Sequence, residues 1–155
     1  MGATSLSDDE VPSVLRGAVE AEHHGYILGL YEDSDREFWS LQFMECIEPD
    51  EQDRASGTDA YCLAAGWDGQ WICYGGVVEC EIGAEDQPTL PLMPPSDRSE
   101  LRLALTPQAA EMLHLPTSVR FALHLTPEQL LMVKRGLVRV LTTGRPDATP
   151  RLLQV

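Results

Sequence analysis

Four cysteines, a histidine pair and two clusters of carboxylates are the residues of this 155-residue chain whose types could support chemistry. Cys46, Cys62, Cys73 and Cys80 are spaced too widely for any Cys-x-x-Cys pair, and each falls inside an apolar run. Structural zinc draws its ligands from closely spaced Cys or His pairs, so buried free thiols are expected instead. The one close pair, His23-His24, leads into Gly25, and adjacent side chains on a strand diverge. Neither a metal nor a cofactor is expected, and a disulfide does not fit a reducing compartment. The first carboxylate cluster, Glu32, Asp33, Asp35 and Glu37 around Ser34 and Arg36, lacks the twelve-residue spacing of a calcium loop. The second, Glu48, Asp50, Glu51, Asp53 and Asp59, has only Arg54 to oppose it. The first reads as a solvated acidic loop, and the length of the second, near the upper limit for a structureless loop, points to function or mobility. No Ser, Cys or Lys sits in an activating motif, so no catalytic residue is assigned. Gly75-Gly76 runs into Val77-Val78-Glu79, without the helix start or Lys-Ser/Thr ending that a phosphate cradle uses.

These residues need elements to position them, and the organising stretch is 61–82. Asp68-Gly69 between apolar runs signals a two-residue hairpin with positive φ at both central positions. Counting outward sets Trp67 opposite Gln70, Gly66 opposite Trp71 and Ala64 opposite Cys73. With the run after Gly75-Gly76, the stretch reads as a three-stranded meander whose glycine pair marks a bulge, a bend or a close approach. Residues 14–22 fit either a short helix or a strand. The strand is preferred because a turn at 23–25 and a β-rich run at 26–31 follow. Residues 38–47 alternate, with Trp39, Leu41, Phe43 and Ile47 on one face. After an irregular, proline-rich 83–99, Leu101, Leu103 and Leu105 alternate before Thr106-Pro107 opens a helix that ends at Leu115-Pro116. The unit repeats: Val119, Phe121 and Leu123, then Thr126-Pro127 and a longer helix to about Leu141, with a capping box at 126–129. Leu130, Val133, Leu137 and Leu141 form its core stripe, and Lys134, Arg135 and Arg139 point to water.

The expected fold is α+β: a single domain at 13–143, mainly antiparallel sheet, with two helices from the C-terminal third packed on one face. Residues 1–12 are expected as a mobile acidic tail and 144–155 as a C-terminal tail. The expected core is Leu41, Phe43, Leu63, Ile72, Val78, Leu103, Leu105, Phe121, Leu123, Leu130, Val133 and Leu137. No apolar run approaches the roughly 18 residues of a membrane span. The acidic start lacks a secretory pattern, so a cytoplasmic location is expected. The net charge is −14, and 22 of the 25 acids lie in residues 1–100 beside four arginines. Residues 101–155 reverse the balance, with three acids against seven bases. An acidic surface repels nucleic acid and attracts a basic protein, although plain solubility also accounts for it.

From about Trp39 to Leu141 the order of segments resembles the immunity proteins of bacterial polymorphic toxin systems, most closely the family numbered ten. The residues that carry the likeness are an alternating strand ending in Glu51-Gln52-Asp53, a loop at Gly57, Tyr61-Cys62-Leu63 and Tyr74-Gly75-Gly76-Val77. The leucine-rich strand, the segment 106–113 and a closing Leu-Leu to Gly-Leu helix complete it. The resemblance implies a non-enzymatic antidote used in bacterial competition, bound to a cognate secreted toxin domain, and the acidic charge leads to the expectation that this domain has a basic surface. If that toxin is a nuclease, an acidic antidote can dock on its basic substrate site. For such a partner the candidate binding residues are Asp33, Asp35, Glu37, Asp50, Glu51, Asp53, Trp67, Asp68 and Trp71. Tyr61, Gly75, Gly76, Thr106, Pro107, Thr126 and Pro127 are assigned to architecture. Two rivals stay open: a small-ligand or enzymatic domain with a pocket between sheet and helices, using Tyr74, His124 or a cysteine, and an adaptor subunit. Homo-oligomerisation is left open.

Overall fold

A computed structural model describes residues 11–22, 24–33, 39–84 and 99–155. The strands are β1 (Val14–Leu15), β2 (Gly17–Glu22), β3 (Tyr26–Tyr31), β4 (Trp39–Met44), β5 (Cys62–Trp67), β6 (Trp71–Tyr74), β7 (Val77–Ala84), β8 (Ser99–Leu105), β9 (Ser118–Leu123) and β10 (Leu152–Gln154). The helices are α1 (Glu51–Ser56), α2 (Pro107–Leu113) and α3 (Pro127–Leu141). Sheet A has the order β1-β9-β8-β7-β10 and sheet B the order β2-β3-β4-β5-β6. The fold is α+β and mostly antiparallel, with parallel pairs only at the two edges of sheet A.

Both C-terminal helices pack on sheet B, α3 across β2, β3 and β4, and α2 across β5 and β6. They share that face with sheet A, and Trp39 meets Phe121 between the sheets at 5.6 Å between ring centroids. Leu28, Leu30, Leu41, Phe43 and Leu63 from sheet B and Leu101, Leu103 and Phe121 from sheet A are buried in one continuous core. Burying each such side chain is worth about 1.5–3 kcal/mol. Thr106 and Thr126 accept the backbone N–H of Ala109 and Gln129, and each is followed by Pro at the first helical position. Arg135 and Arg139 do not simply face water. They reach back to Glu20 of β2, and to Glu22 and Glu45, and the Arg139 guanidinium lies 4.4 Å from the centre of the Tyr26 ring.

Several expectations change. Stretch 61–82 is not one meander, because β7 belongs to sheet A. Gly75 and Gly76 form the corner, at φ 71° and 94°. A Cβ on Gly76 would collide with Ala109, so the corner and the close approach of α2 both require glycine there. Tyr61 locks the corner from inside: its buried hydroxyl accepts the Val77 N–H at 3.0 Å and donates to the Ala148 carbonyl at 2.8 Å. Residues 14–22 likewise split at Arg16, whose N–H donates to the Tyr31 carbonyl as the chain leaves sheet A for sheet B.

The hairpin turn at Asp68 and Gly69 has both positive φ angles, 56° and 64°. Its register is one residue off the expected one, with Ala65 opposite Trp71 and Ala64 opposite Ile72. Gly66, at φ 99°, is the extra residue that causes the slip. A one-residue slip exchanges the faces, so Trp71 and Cys73 point inward and Ile72 is 47% exposed rather than core. Ile47 is exposed because β4 ends at Met44. Val78, at the β7 bulge, and Leu130 are half-buried.

The second acidic loop contains a helix. Asp50 and Asp53 cap each other reciprocally at the start of α1, and Gly57 closes its end. Residues 144–155 are not a tail: a 3-10 turn (Pro146–Ala148) is followed by β10, which pairs parallel with β7. The edge of β7 offers unpaired backbone groups that this segment satisfies. Residues 1–10, His23 and the proline-rich 85–98 lie outside the described residues. No helix among the described residues is long and apolar enough to cross a membrane.

Candidate functional site

The predicted binding residues divide between the two ends of sheet B. At one end, Trp39 pairs with Trp67, which sets the β5–β6 hairpin tip beside the start of β4. Trp67 is 38% exposed, Asp68 is exposed and Asp33 is half-buried. Asp35 and Glu37 lie outside the described residues. Glu32 accepts the Trp39 backbone N–H at 3.2 Å, so this acid helps to start β4. Trp71 faces the other way and stacks on His114, the residue capping α2, at 4.1 Å between ring centroids and 17° between planes. It is half-buried against that helix end and not at the tip.

Asp50, Glu51 and Asp53 lie beyond the opposite end of β4. The six residues of that strand span about 20 Å, so the two acidic loops are not one patch. Asp53 N–H donates to Asp50 Oδ1 at 2.8 Å, and Asp50 N–H to Asp53 Oδ2 at 3.0 Å. The first of these bonds holds the Asp50 carboxyl below its ordinary range. Both aspartates therefore have work in the fold. Glu51, one residue into the helix, is exposed and complements the helix start. The Asp-x-x-Asp pattern was the signal for α1. It is hard to see because the helix buries no residue and so has no apolar stripe.

The residues of the enzymatic rival do not form a constellation. All four cysteines are free, and burial pushes the Cys62 thiol up to about 11 and Cys80 up to about 12, so both are protonated and poorly nucleophilic at neutral pH. Tyr74 is exposed on the edge strand of sheet B, whereas His124 follows β9 in sheet A. A groove of about 470 Å³ runs between Tyr74, Met112 of α2 and Arg145. Its charges are already paired: Arg145 meets Asp59 at 2.6 Å and Asp147 at 3.1 Å. Among the described residues, no three His, Cys, Asp or Glu side chains converge as metal ligands would.

Between the two acidic ends, the outer face of sheet B has an unusual composition. The register places Val19 and Ala21 of β2 there, with Ile27, Gly29 and Tyr31 of β3 and Ser40, Gln42 and Met44 of β4. Cys62 and Ala64 of β5 and Ile72 and Tyr74 of β6 continue it. None of these is charged. The few polar groups are satisfied locally, with Ser40 Oγ donating to the Gly66 carbonyl at 3.2 Å. A water-facing sheet usually alternates apolar in and polar out, and sheet B lacks the polar half of that pattern. Sequence reasoning missed this face because the hairpin register was one residue off, which put Ile72 inside.

No curated protein and no solved structure gives a significant match to the chain. A family model does match, over residues that differ from the expected range: it takes in 14–38, stops before β8, and so encloses the whole of sheet B with its uncharged face. That model is described as Immunity protein 10, and its match to residues 14–87 is to the same immunity family that the sequence resembles.

Proposed function

We propose that this protein is a non-enzymatic antidote that binds and neutralises a cognate polymorphic toxin in the cytoplasm of the cell that makes it. The observation that carries this reading is the match of residues 14–87 to the family described as Immunity protein 10, a description that fits an antidote. The charge distribution supports a partner with a basic surface, a nuclease being the class whose substrate site has that character. Asp33, Trp67 and Asp68 are the proposed contacts at the hairpin end and Asp50, Glu51 and Asp53 those at the other, with Asp35 and Glu37, which lie outside the described residues, as further proposed contacts. Trp71 supports the tip by holding it on α2 and does not touch the toxin. Residues 13–143 act as one immunity-type domain, completed by β10.

The test is to search the genes flanking this one for a large secreted protein and to co-express the C-terminal domain of any that is found with this chain. The expected outcome is survival of cells that the toxin domain alone kills, together with a stoichiometric complex on gel filtration. Killing that is undiminished, with no complex formed, overturns the reading.

A further inference from the structure

We infer that the uncharged outer face of sheet B is the surface on which the toxin docks, and that it receives a toxin surface that is apolar at its centre and basic on two opposite flanks. This rests on the antidote reading above. Three observations carry it. Ile72 and Tyr74 present large side chains at 47% and 42% exposure on β6, and Ile27 and Met44 are half-buried on the same face, with no charge among them. Charge returns where the strands end, at Asp33 and Asp68 with Arg16 on one side and at Glu48, Asp50 and Glu51 with Arg54 on the other, acids outnumbering bases at each. An interface with a charge-depleted centre and a charged rim has this layout.

The flanks also decide between occupants. Acids outnumber bases at both ends of the face in a chain of net charge −14, so a second copy stacked on it in either direction would set one acidic excess against another. A partner with basic flanks about 20 Å apart has no such cost. Size adds a constraint. Five strands at about 4.8 Å spacing and one strand length make a face of roughly 20 Å by 20 Å, about half of the ~800 Å² that each partner of a standard interface covers. The rest must come from the rim where the strands end.

The experiment measures binding of the toxin domain identified by the co-expression test to the full chain carrying Ile72→Lys, Tyr74→Lys, Asp68→Asn or, on the outer face of sheet A, Ser118→Lys. Melting temperatures establish that each variant folds; Asn tolerates the positive φ at position 68. Ile72→Lys and Tyr74→Lys should each weaken binding about tenfold or more through faster dissociation, because a charge is buried without a partner. Asp68→Asn should mainly slow association, and the effect should fade as salt rises. Ser118→Lys should stay within about twofold of wild type. Folded Ile72→Lys and Tyr74→Lys variants that bind like wild type would overturn the docking face, while wild-type protection would leave the antidote reading standing. A free protein that sediments as a dimer, and as a monomer once Ile72→Lys is introduced, would overturn the assignment of the occupant.

Discussion

The outer face of sheet A carries a chain of ion pairs, with Arg102 reaching Glu100 at 2.7 Å and Glu81 at 3.8 Å, and Arg120 also reaching Glu100 at 3.8 Å. At its edge Arg151 bonds Glu79. The outer face of sheet B has no charge at all, although both sheets send the same kinds of leucine and aromatic side chain into one core. Under the docking proposal, the contrast separates two jobs. A sheet that faces only water can fill its outer positions with alternating acids and bases, whereas a sheet that meets a partner has to keep desolvation cheap at the centre of contact. The family match follows the same division: it covers sheet B entirely and reaches only β1 and β7 of sheet A.

The comparison requires that the sheets be mechanically one unit, and the core tests this most severely. Phe121→Ala removes the sheet A partner of Trp39 and should cost about 3–5 kcal/mol in denaturant unfolding. Near-UV signals from the three tryptophans, all in sheet B, and far-UV signals from the whole fold should shift together. Separate transitions would mean that sheet B folds alone and that the shared core joins the sheets only loosely.

Next in size is the corner that passes the chain between them. Gly76→Ala forces a positive φ on a residue with a Cβ and pushes that Cβ into Ala109. A loss of about 1–3 kcal/mol is expected. Thr106→Ala, which removes only the cap of the neighbouring α2, should cost nearer 1 kcal/mol. Equal effects would show that the corner strain is relieved by movement of the helix.

What was legible in the sequence follows from how local each signal is. The alternation of Leu101, Leu103 and Leu105, the pair of Thr-Pro starts and the Asp68-Gly69 turn depend on neighbours within a few residues, and each stands in the structure where its spacing put it. The sheet assignment of β1, β7 and β10 depends on corners at Arg16 and Gly75-Gly76 and on an edge of β7 that needs a partner, none of which the local pattern contains. The acidic loops were legible as compositions but not as places. Their separation depends on which end of β4 each one leaves, and the uncharged face becomes visible only once Gly66 is counted as an extra residue.

A pH test sharpens the contrast on the helix side of sheet B. The Arg139 guanidinium bonded to Glu45 at 3.1 Å, helped by the Tyr26 backbone N–H, holds the Glu45 carboxyl below its ordinary value of 4.5. A depressed carboxylate adds stability that is fully present above the unfolded value and is lost as pH falls through the folded one. Wild type should therefore be more stable than Glu45→Gln at neutral pH, and the two melting curves should converge as pH drops below about 4. A gap that stays constant with pH would mean that Glu45 acts through packing and not through its charge.

The smallest expected effect falls on the outer face of sheet A. Arg120 is 60% exposed along its side chain and meets Glu100 at 3.8 Å, while Arg102 holds the same carboxylate at the shorter distance. Glu100 is nearly buried, so it needs one good cationic partner, and Arg102 supplies that partner without help. Arg120→Ser should accordingly cost about 0–1 kcal/mol, less at high salt, and should leave toxin binding unchanged. If Arg120→Ser instead weakens the toxin complex while stability holds, charge on sheet A is part of recognition. The division between a water-facing sheet and a partner-facing sheet would then be wrong, and the basic C-terminal third would become part of the docking surface.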